Sequence, residues 1–255
     1  MSSPRGGAVT TLVESARTQF LLARRYPMMI VLNIVQPLAF LLIVMQRLPG
    51  DDSARLGELV IAVLLTCYWG SVIWSAGGIL RRDRLFGTLS RSLLNARDGV
   101  LVIVGRCLGT MVASLITLVL TAAVMVLASD RPIELPGAGW LVAGFIGVAV
   151  SGTSLGLLLA CALLHTRHGV VITGALMYPV FVFGGLLVPD EAVPDALEWV
   201  SVLVSLSWAR DFMVSGDWLA GVGLVATTVA YFAGGVWAYR RTLHVARREG
   251  TLDLV

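Results

Sequence analysis

The chain has 255 residues, of which 57% are apolar and 14% are charged, and its formal net charge is +3. Soluble domains are about half apolar even when glycine is counted, so this composition excludes an ordinary soluble domain and indicates an integral membrane protein. All 19 basic residues are arginine. A standard phosphate-binding loop and Schiff-base chemistry both need a lysine, so we expect no ATP hydrolysis by this chain alone and no catalytic residue.

Six apolar stretches reach or approach the roughly 20 residues that a transmembrane helix needs. In chain order they are 28–46, 59–80, 100–128, 140–164, 170–188 and 219–239. Barrel strands would instead show alternation over about 10 residues. The sequence therefore predicts an all-α integral membrane fold with six transmembrane helices, forming a single domain over 1–255.

An amphipathic segment precedes the first predicted span, at residues 11–26. Its apolar face contains Leu12, Ala16, Gln19, Phe20 and Ala23. Arginines at its end would lie near anionic headgroups, so we predict a helix that lies along the inner membrane interface.

The segment after the second span, 81–97, is basic on one side and rich in leucine on the other. Read as a helix, it places Leu85, Leu89 and Leu93 on one stripe at spacing i, i+4 and i+8. Such a stripe faces lipid or a groove in a partner protein. Periodicity alone leaves open a second interpretation, in which the helix only connects two spans.

A further segment of unusual composition precedes the last span, at 189–217. Its apolar stretch 197–206 is about 10 residues long and too short to cross a bilayer, which favours an external re-entrant helical hairpin. Three tryptophans suit the external headgroup region, namely Trp199, Trp208 and Trp218.

The distribution of arginine predicts the topology. Placing both termini, the 81–106 segment and the 165–168 loop on one side collects 15 of the 19 arginines there. Because cytoplasmic loops concentrate basic residues, we predict that both termini are cytoplasmic. The arginine-only, Ala/Val/Gly-rich composition favours a bacterial source with a GC-rich genome, and thus a bacterial cytoplasmic membrane.

None of the 16 carboxylates lies near the middle of a predicted span. An ion-coupled carrier usually keeps an ionisable group there despite its cost, so the pattern favours a transporter that takes its energy from another chain. The alternative is a stand-alone secondary carrier or multidrug efflux protein. His165 and His168 have metal-ligand spacing but no neighbouring Cys or acid to complete a site, so we expect no bound metal.

Polar and aromatic residues near mid-span are candidates to line a substrate pathway. They are Asn33, Gln36, Phe40, Tyr68, Ser71, Ser75, Met177 and Phe181. Hydroxyls and amides also hold helices together, so packing is the alternative explanation for each of them. A pathway with aromatic residues and few charges suits a hydrophobic or amphiphilic cargo. Two small-xxx-small pairs, Gly105 with Gly109 and Gly152 with Gly156, predict close helix packing inside the chain.

The order of these elements resembles the permease subunit of type-2 ATP-binding-cassette exporters. Arg24-Arg25-Tyr26-Pro27 is similar to the family's basic-plus-proline entry to the first span, and Gln36-Pro37 is similar to the family's Gln-Pro pair. Asp83, Gly87-Thr88-Leu89 and Leu93-Leu94 are similar to its cytoplasmic coupling helix.

The resemblance implies that a separate ATPase subunit carrying ATP and magnesium docks at the coupling helix, 81–97. The residues that would contact it are Asp83, Leu85, Phe86, Gly87, Thr88, Leu89 and Leu93. It also implies that two permease chains, identical or different, form the export pathway for a drug, antibiotic, lipid or glycolipid. The chain itself would bind no cofactor and no nucleic acid, and its other partners would be membrane lipids.

Overall fold

The computed structural model describes residues 7–23, 25, 27–47, 53–88, 99–128, 133–164, 166, 169–183 and 202–249. All regular elements within these ranges are helical, which confirms the predicted all-α class. In chain order they are α1 (Ala8–Ala23), α2 (Pro27–Ile30), the π-helix π1 (Val31–Val35), α3 (Gln36–Arg47), α4 (Ser53–Ser71), the π-helix π2 (Val72–Ala76), α5 (Ile79–Leu85), α6 (Gly99–Ala128), α7 (Ala138–Leu164), α8 (Gly169–Phe183), α9 (Ser205–Ser215) and α10 (Trp218–Glu249).

Five helices in the described part of the chain are long and apolar enough to cross a membrane. They are Pro27–Gln46, Ser53–Leu85, Gly99–Ala128, Ala138–Leu164 and Trp218–His244. These five correspond to predicted spans. The remaining predicted span, 170–188, overlaps α8 as far as Phe183, whereas 184–188 lies outside the described residues, so the six-span topology stays a prediction.

The second long helix, Ser53–Leu85, is the centre of the bundle, with 89% of its most apolar stretch buried inside the protein. Around its α4 segment pack α3, α6 and α9, while π2 and α5 pack against α7. The α7 helix also contacts α6 and α10, and α1 lies along α6. Burial on all sides explains why the α4 segment is apolar around its whole circumference.

Glycine pairs set the closest contacts between helices. A Cβ atom at Gly105 would lie 2.6 Å from the Leu12 carbonyl oxygen, so the backbone of α1 rests directly on α6. A Cβ atom at Gly152 would lie 2.5 Å from the Tyr68 hydroxyl oxygen, and one at Gly156 would lie 2.7 Å from Ala76 Cβ. Both predicted small-xxx-small pairs therefore mediate close packing within the chain.

A π-helical turn precedes Pro37 in the first long helix. Proline has no N–H, so Pro37 cannot donate a hydrogen bond to the carbonyl of Asn33 four residues earlier. The Gln36 N–H bonds to the carbonyl of Val31 in the wider π pattern. The Thr121 hydroxyl on α6 lies 3.1 Å from the Asn33 carbonyl oxygen and 2.8 Å from the Thr117 carbonyl oxygen, so the two acceptors share its one hydrogen. A neighbouring helix thus satisfies the group that the proline leaves open.

Thr121→Val should therefore lower the free energy of unfolding by about 1 kcal/mol, a typical value for a hydrogen bond between membrane helices. In a Pro37→Ala background the backbone N–H returns, and the same substitution should cost less. Equilibrium unfolding in mixed micelles measures both steps. An equal cost in both backgrounds would contradict the role assigned to Thr121.

The segment 189–217, predicted to be external, is described from Val202 onward, and 189–201 lies outside the described residues. The helix here is α9, at Ser205–Ser215, and it packs on α7 and α10. Met213 fills the space beside Gly144, and the Trp208 ring fills the space beside Gly223. Ser151 donates a hydrogen bond of 2.7 Å to Ser205. The predicted re-entrant path stays a prediction.

The end of the second span differs from the sequence-based expectation. We predicted that the span ends at residue 80 and that a separate helix covers 81–97, but the span continues without a loop through α5 to Leu85. Gly87 then adopts a left-handed conformation with φ of 64°. The Thr88 N–H donates to the Asp83 carbonyl at 2.8 Å and the Gly87 N–H donates to the Arg84 carbonyl at 3.1 Å. This is a Schellman motif, which ends a helix.

Because the helix ends there, Leu85 is not on one continuous helical stripe with Leu89 and Leu93, and that part of the prediction is wrong. Leu89, Leu93 and the rest of 89–98 lie outside the described residues. Glycine explains the difference, since it adopts a positive φ without the steric penalty that other residues incur. Leucine periodicity does not report on this reversal of the backbone.

Candidate functional site

Five polar side chains at the Leu85 end of the bundle join five helical elements, namely α1, π2, α5, α6 and α7. We call them the polar cluster: Gln19, Arg82, Asp83, Arg84 and Arg106. At its centre, the guanidinium of Arg106 on α6 binds both carboxylate oxygens of Asp83 on α5. One contact joins Nη1 to Oδ2, and the other joins Nη2 to Oδ1 at 2.9 Å. This two-point geometry orients both groups as well as pairing their charges.

The Asp83–Arg106 pair is largely shielded from solvent. The side chain of Asp83 is 9% exposed and that of Arg106 is 19% exposed. A shielded charge is costly without a partner, so the carboxylate and the guanidinium depend on each other. The pair ties the end of the second span to the beginning of α6.

The amphipathic α1 helix joins the polar cluster through Gln19. The Nε of Arg106 donates a hydrogen bond of 3.2 Å to Gln19 Oε1, and Gln19 is itself buried. One turn closer to the N-terminus, Ser15 and Ala16 lie against Gly105 and Gly109 of α6. The predicted apolar face of α1 is therefore used against α6, and Arg106 fixes α1 with a polar contact at the same interface.

The two arginines that flank Asp83 bind backbone carbonyls. Arg82 donates to the carbonyl of Ser75 at 2.5 Å and to that of Trp74 at 3.3 Å, both at the end of π2. Arg84 donates at 3.4 Å to the carbonyl of Leu164, the last residue of α7. Cations at carbonyl-rich helix ends are favourable because these oxygens lack partners within their own helix.

The residues that follow Arg84 of the polar cluster in the chain form an exposed turn, which we call the apolar tip: Leu85, Phe86, Gly87 and Thr88. Leu85 is 75% exposed and Phe86 is 74% exposed, and Gly87 and Thr88 are also exposed. Asp83 belongs to the buried side of the same turn. The arrangement combines an accessible apolar surface with polar contacts to α1, α6 and α7.

The predicted pathway residues divide into two groups, those that lie near Gly70 and those that lie elsewhere in the bundle. Asn33 is buried and accepts a hydrogen bond of 2.5 Å from Ser71. A Cβ atom at Gly70 would lie 3.3 Å from Met177 Cε and 3.9 Å from Gln36 Oε1. The structure therefore brings candidates from the first, second and fifth predicted spans together around Gly70.

Tyr68 belongs to the second group, because it packs against α7 and donates a 3.3 Å hydrogen bond to the Val148 carbonyl. Ser75 is buried, and its own backbone carbonyl accepts the hydrogen bond from Arg82. Phe40 is partly buried against the core, and the side chain of Phe181 lies outside the described residues. The role of these residues in a pathway stays a prediction.

Sequence reasoning missed the connection between Arg106, Asp83 and Gln19. An arginine near the start of an apolar helix can also extend toward the membrane interface without a partner in the protein. The signal that could have identified a partner is its position in the early turns of an apolar helix, where a charge needs compensation. Asp83 and Asp98 are the two acids that precede Arg106 most closely in the sequence, and periodicity does not choose between them.

Comparison with known proteins gives one result that covers most of the chain. The sequence model of a family described as ABC-2 type transporter matches residues 11–218. No curated protein shows a significant match. The matched range contains most of α1, the polar cluster, the apolar tip and α9, and it ends at the first residue of α10.

Proposed function

Since the chain belongs to the ABC-2 type transporter family, we propose that it is the permease subunit of an ATP-driven exporter. Members of this family are membrane transport components, and the five long apolar helices agree with a multi-pass membrane protein. The observation that supports the coupling part of the proposal is the apolar tip joined to the polar cluster. A separate ATPase subunit binds this tip, and its movement upon ATP binding reaches α1, α6 and α7.

The proposed partner contact is centred on Phe86 and Leu85. Exposed aromatic residues that fill a pocket in a partner are typical anchors of protein interfaces. Gly87 and Thr88 continue the same exposed turn, while Asp83 acts from within by holding the turn to α6. The ATP and magnesium belong to the partner, which agrees with the absence of lysine from this chain.

The cargo in this proposal is hydrophobic or amphiphilic, such as a drug, an antibiotic, a lipid or a glycolipid. Asn33, Gln36, Ser71 and Met177 supply polar and sulfur groups around Gly70 without any charge. Two permease chains, identical or different, enclose the pathway in a bacterial cytoplasmic membrane, with both termini on the side of the ATPase. Cargo-stimulated ATP hydrolysis in a reconstituted complex would identify the cargo.

Phe86→Asp tests the partner contact. We expect the affinity for the ATPase subunit to fall by about 30-fold, which corresponds to the 2 kcal/mol or more of an anchor residue. Co-purification and binding measurements in detergent report the change. Leu135→Asp is the matched control, because Leu135 is an exposed leucine in the segment between α6 and α7.

Unchanged binding by the Phe86 variant would contradict the docking contact. Transport that persists after ATP depletion, in membranes where no ATPase co-purifies, would contradict the exporter proposal and favour a stand-alone carrier. The two outcomes are separate, because the first concerns one surface and the second concerns the energy source.

A further inference from the structure

A groove runs along the outside of the helix bundle between the N-terminal helices and α6. Its volume is about 250 Å³. We call it the lateral groove, and its walls include Phe20, Ala23, Ile30, Ala113, Ile116 and Leu120. Ile30, Ile116 and Leu120 are 51%, 46% and 60% exposed, so the groove is open on the side that faces away from the bundle. In a membrane protein that side faces lipid.

The polar atoms in the walls are already satisfied within the protein. The Asn33 side chain accepts a hydrogen bond from Ser71 at 2.5 Å and donates one to the Met29 sulfur at 3.6 Å. The Thr117 hydroxyl donates to the Ala113 carbonyl of its own helix at 2.8 Å. The lateral groove thus presents no unpaired polar side chain among these residues, and its surface suits a hydrocarbon chain.

The dimensions of the lateral groove match part of one leaflet. From residue 113 to residue 120, α6 rises about 10 Å, which is roughly two-thirds of the hydrocarbon thickness of one leaflet. Ala23 of α1 packs with Ala113, and the Asn33 carbonyl lies beside Thr121, the residue after Leu120, so the lateral groove runs from α1 at one end to Leu120 at the other. An acyl chain that enters beside α1 would therefore extend toward the middle of the membrane.

Exposed arginines lie close in sequence to the α1 residues that line the lateral groove. Arg25 is exposed and follows the wall residue Ala23 by two positions, and its N–H donates to the Leu22 carbonyl at 2.9 Å, which keeps the backbone turn compact. Arg17 is exposed on α1 as well. Arginines at the membrane surface attract anionic headgroups.

We propose that the lateral groove holds one acyl chain of an anionic phospholipid from the leaflet at α1, with its headgroup at Arg25. The lipid is a resident component that fills the gap between α1, the first span and α6. This inference does not depend on the proposed transport function, because it concerns the stable surroundings of the permease and not its cargo.

Photo-crosslinking in nanodiscs tests this site. The full-length chain is reconstituted in phosphatidylcholine doped with a phosphatidylglycerol that carries a diazirine in its acyl chain. Peptide mass spectrometry should find adducts on the wall residues of α6. Ile116→Trp or Leu120→Trp should reduce these adducts to background, because the indole occupies the lateral groove. Val124→Trp is the matched control, an exposed position of α6 outside the walls.

The headgroup contact needs a second comparison. Arg25→Gln should lower the yield from the phosphatidylglycerol probe about fivefold, the equivalent of about 1 kcal/mol per basic residue near an anionic surface. Equal yields from phosphatidylglycerol and phosphatidylcholine probes with the native chain would overturn the headgroup assignment. Adduct yields on α6 that Ile116→Trp and Leu120→Trp leave unchanged would overturn the site itself.

Discussion

Arg106→Gln should lower the free energy of unfolding by about 3 kcal/mol, because it leaves the shielded carboxylate of Asp83 without its counter-charge. The same change removes the Nε donor that binds Gln19, so α1 loses its polar contact with α6. We also expect uncoupling, in which the partner ATPase still hydrolyses ATP but transport is lost. Equilibrium unfolding in mixed micelles and paired measurements of hydrolysis and transport test the two effects.

Two further variants identify the cause of the Arg106 effect. Adding Asp83→Asn to Arg106→Gln removes the uncompensated charge, so the double variant should be more stable than the sum of the two single costs predicts. Arg210→Gln is the control for loss of an arginine, since Arg210 pairs at 3.1 Å with its neighbour Asp211, whose side chain is 49% exposed. Its cost should be about 0–1 kcal/mol. Equal costs at Arg106 and Arg210 would contradict the importance of shielding.

Gly109→Ala should separate α1 from α6. The added Cβ would lie 2.1 Å from the carbonyl oxygen of Ala16 and 3.0 Å from its Cα. Backbone atoms cannot move aside by rotating a side chain, so the whole of α1 must shift. We expect a cost of about 1–3 kcal/mol, as for other over-packed contacts, together with impaired coupling, because Gln19 would move away from Arg106.

Thiol accessibility provides a direct measurement of this shift. Ala23→Cys places a thiol where the native residue is 1% exposed and packs with Ala113 of α6. It should react slowly with a water-soluble maleimide in the native background and faster when Gly109→Ala is added. The three native cysteines are buried. Gly174→Ala is the matched control, because a Cβ there meets no atom within 4 Å. Equal labelling in all backgrounds would show that α1 tolerates the extra methyl group.

The two largest predicted effects, at Arg106 and Gly109, both concern the contact between α1 and α6. The way in which membrane helices associate gives the physical reason. Membrane helices gain little from burying apolar surface against one another, since lipid is equally apolar. Close backbone contact and paired polar groups therefore decide how they associate. Both features occur where α1 meets α6. Gly105 and Gly109 lie directly against the α1 backbone, and Arg106, which lies between them in the sequence, makes the polar contact with α1. Disturbing either one loosens the same connection to α5.

Composition and residue spacing were sufficient for the broad outline of this protein. Long apolar runs cannot remain in water, and in lipid a helix satisfies all of its own backbone groups, so an all-α membrane fold followed from the sequence. Close packing at Gly152 also followed from it, because glycine spacing is a local property. The resemblance carried by Asp83 and Gly87-Thr88-Leu89 indicated the family that the match over 11–218 then showed.

Only the tertiary structure showed how the charges at 82–84 and Arg106 are used. Arg82 binds carbonyls seven and eight residues earlier, Asp83 binds Arg106 from 23 residues away, and Arg84 reaches Leu164 from 80 residues away. Hydropathy treats a charge as the end of a span, so the sequence placed the boundary at residue 80. These charges have partners inside the protein, and the helix continues to Leu85. Periodicity describes one helix at a time, whereas such partners depend on which helices meet in space.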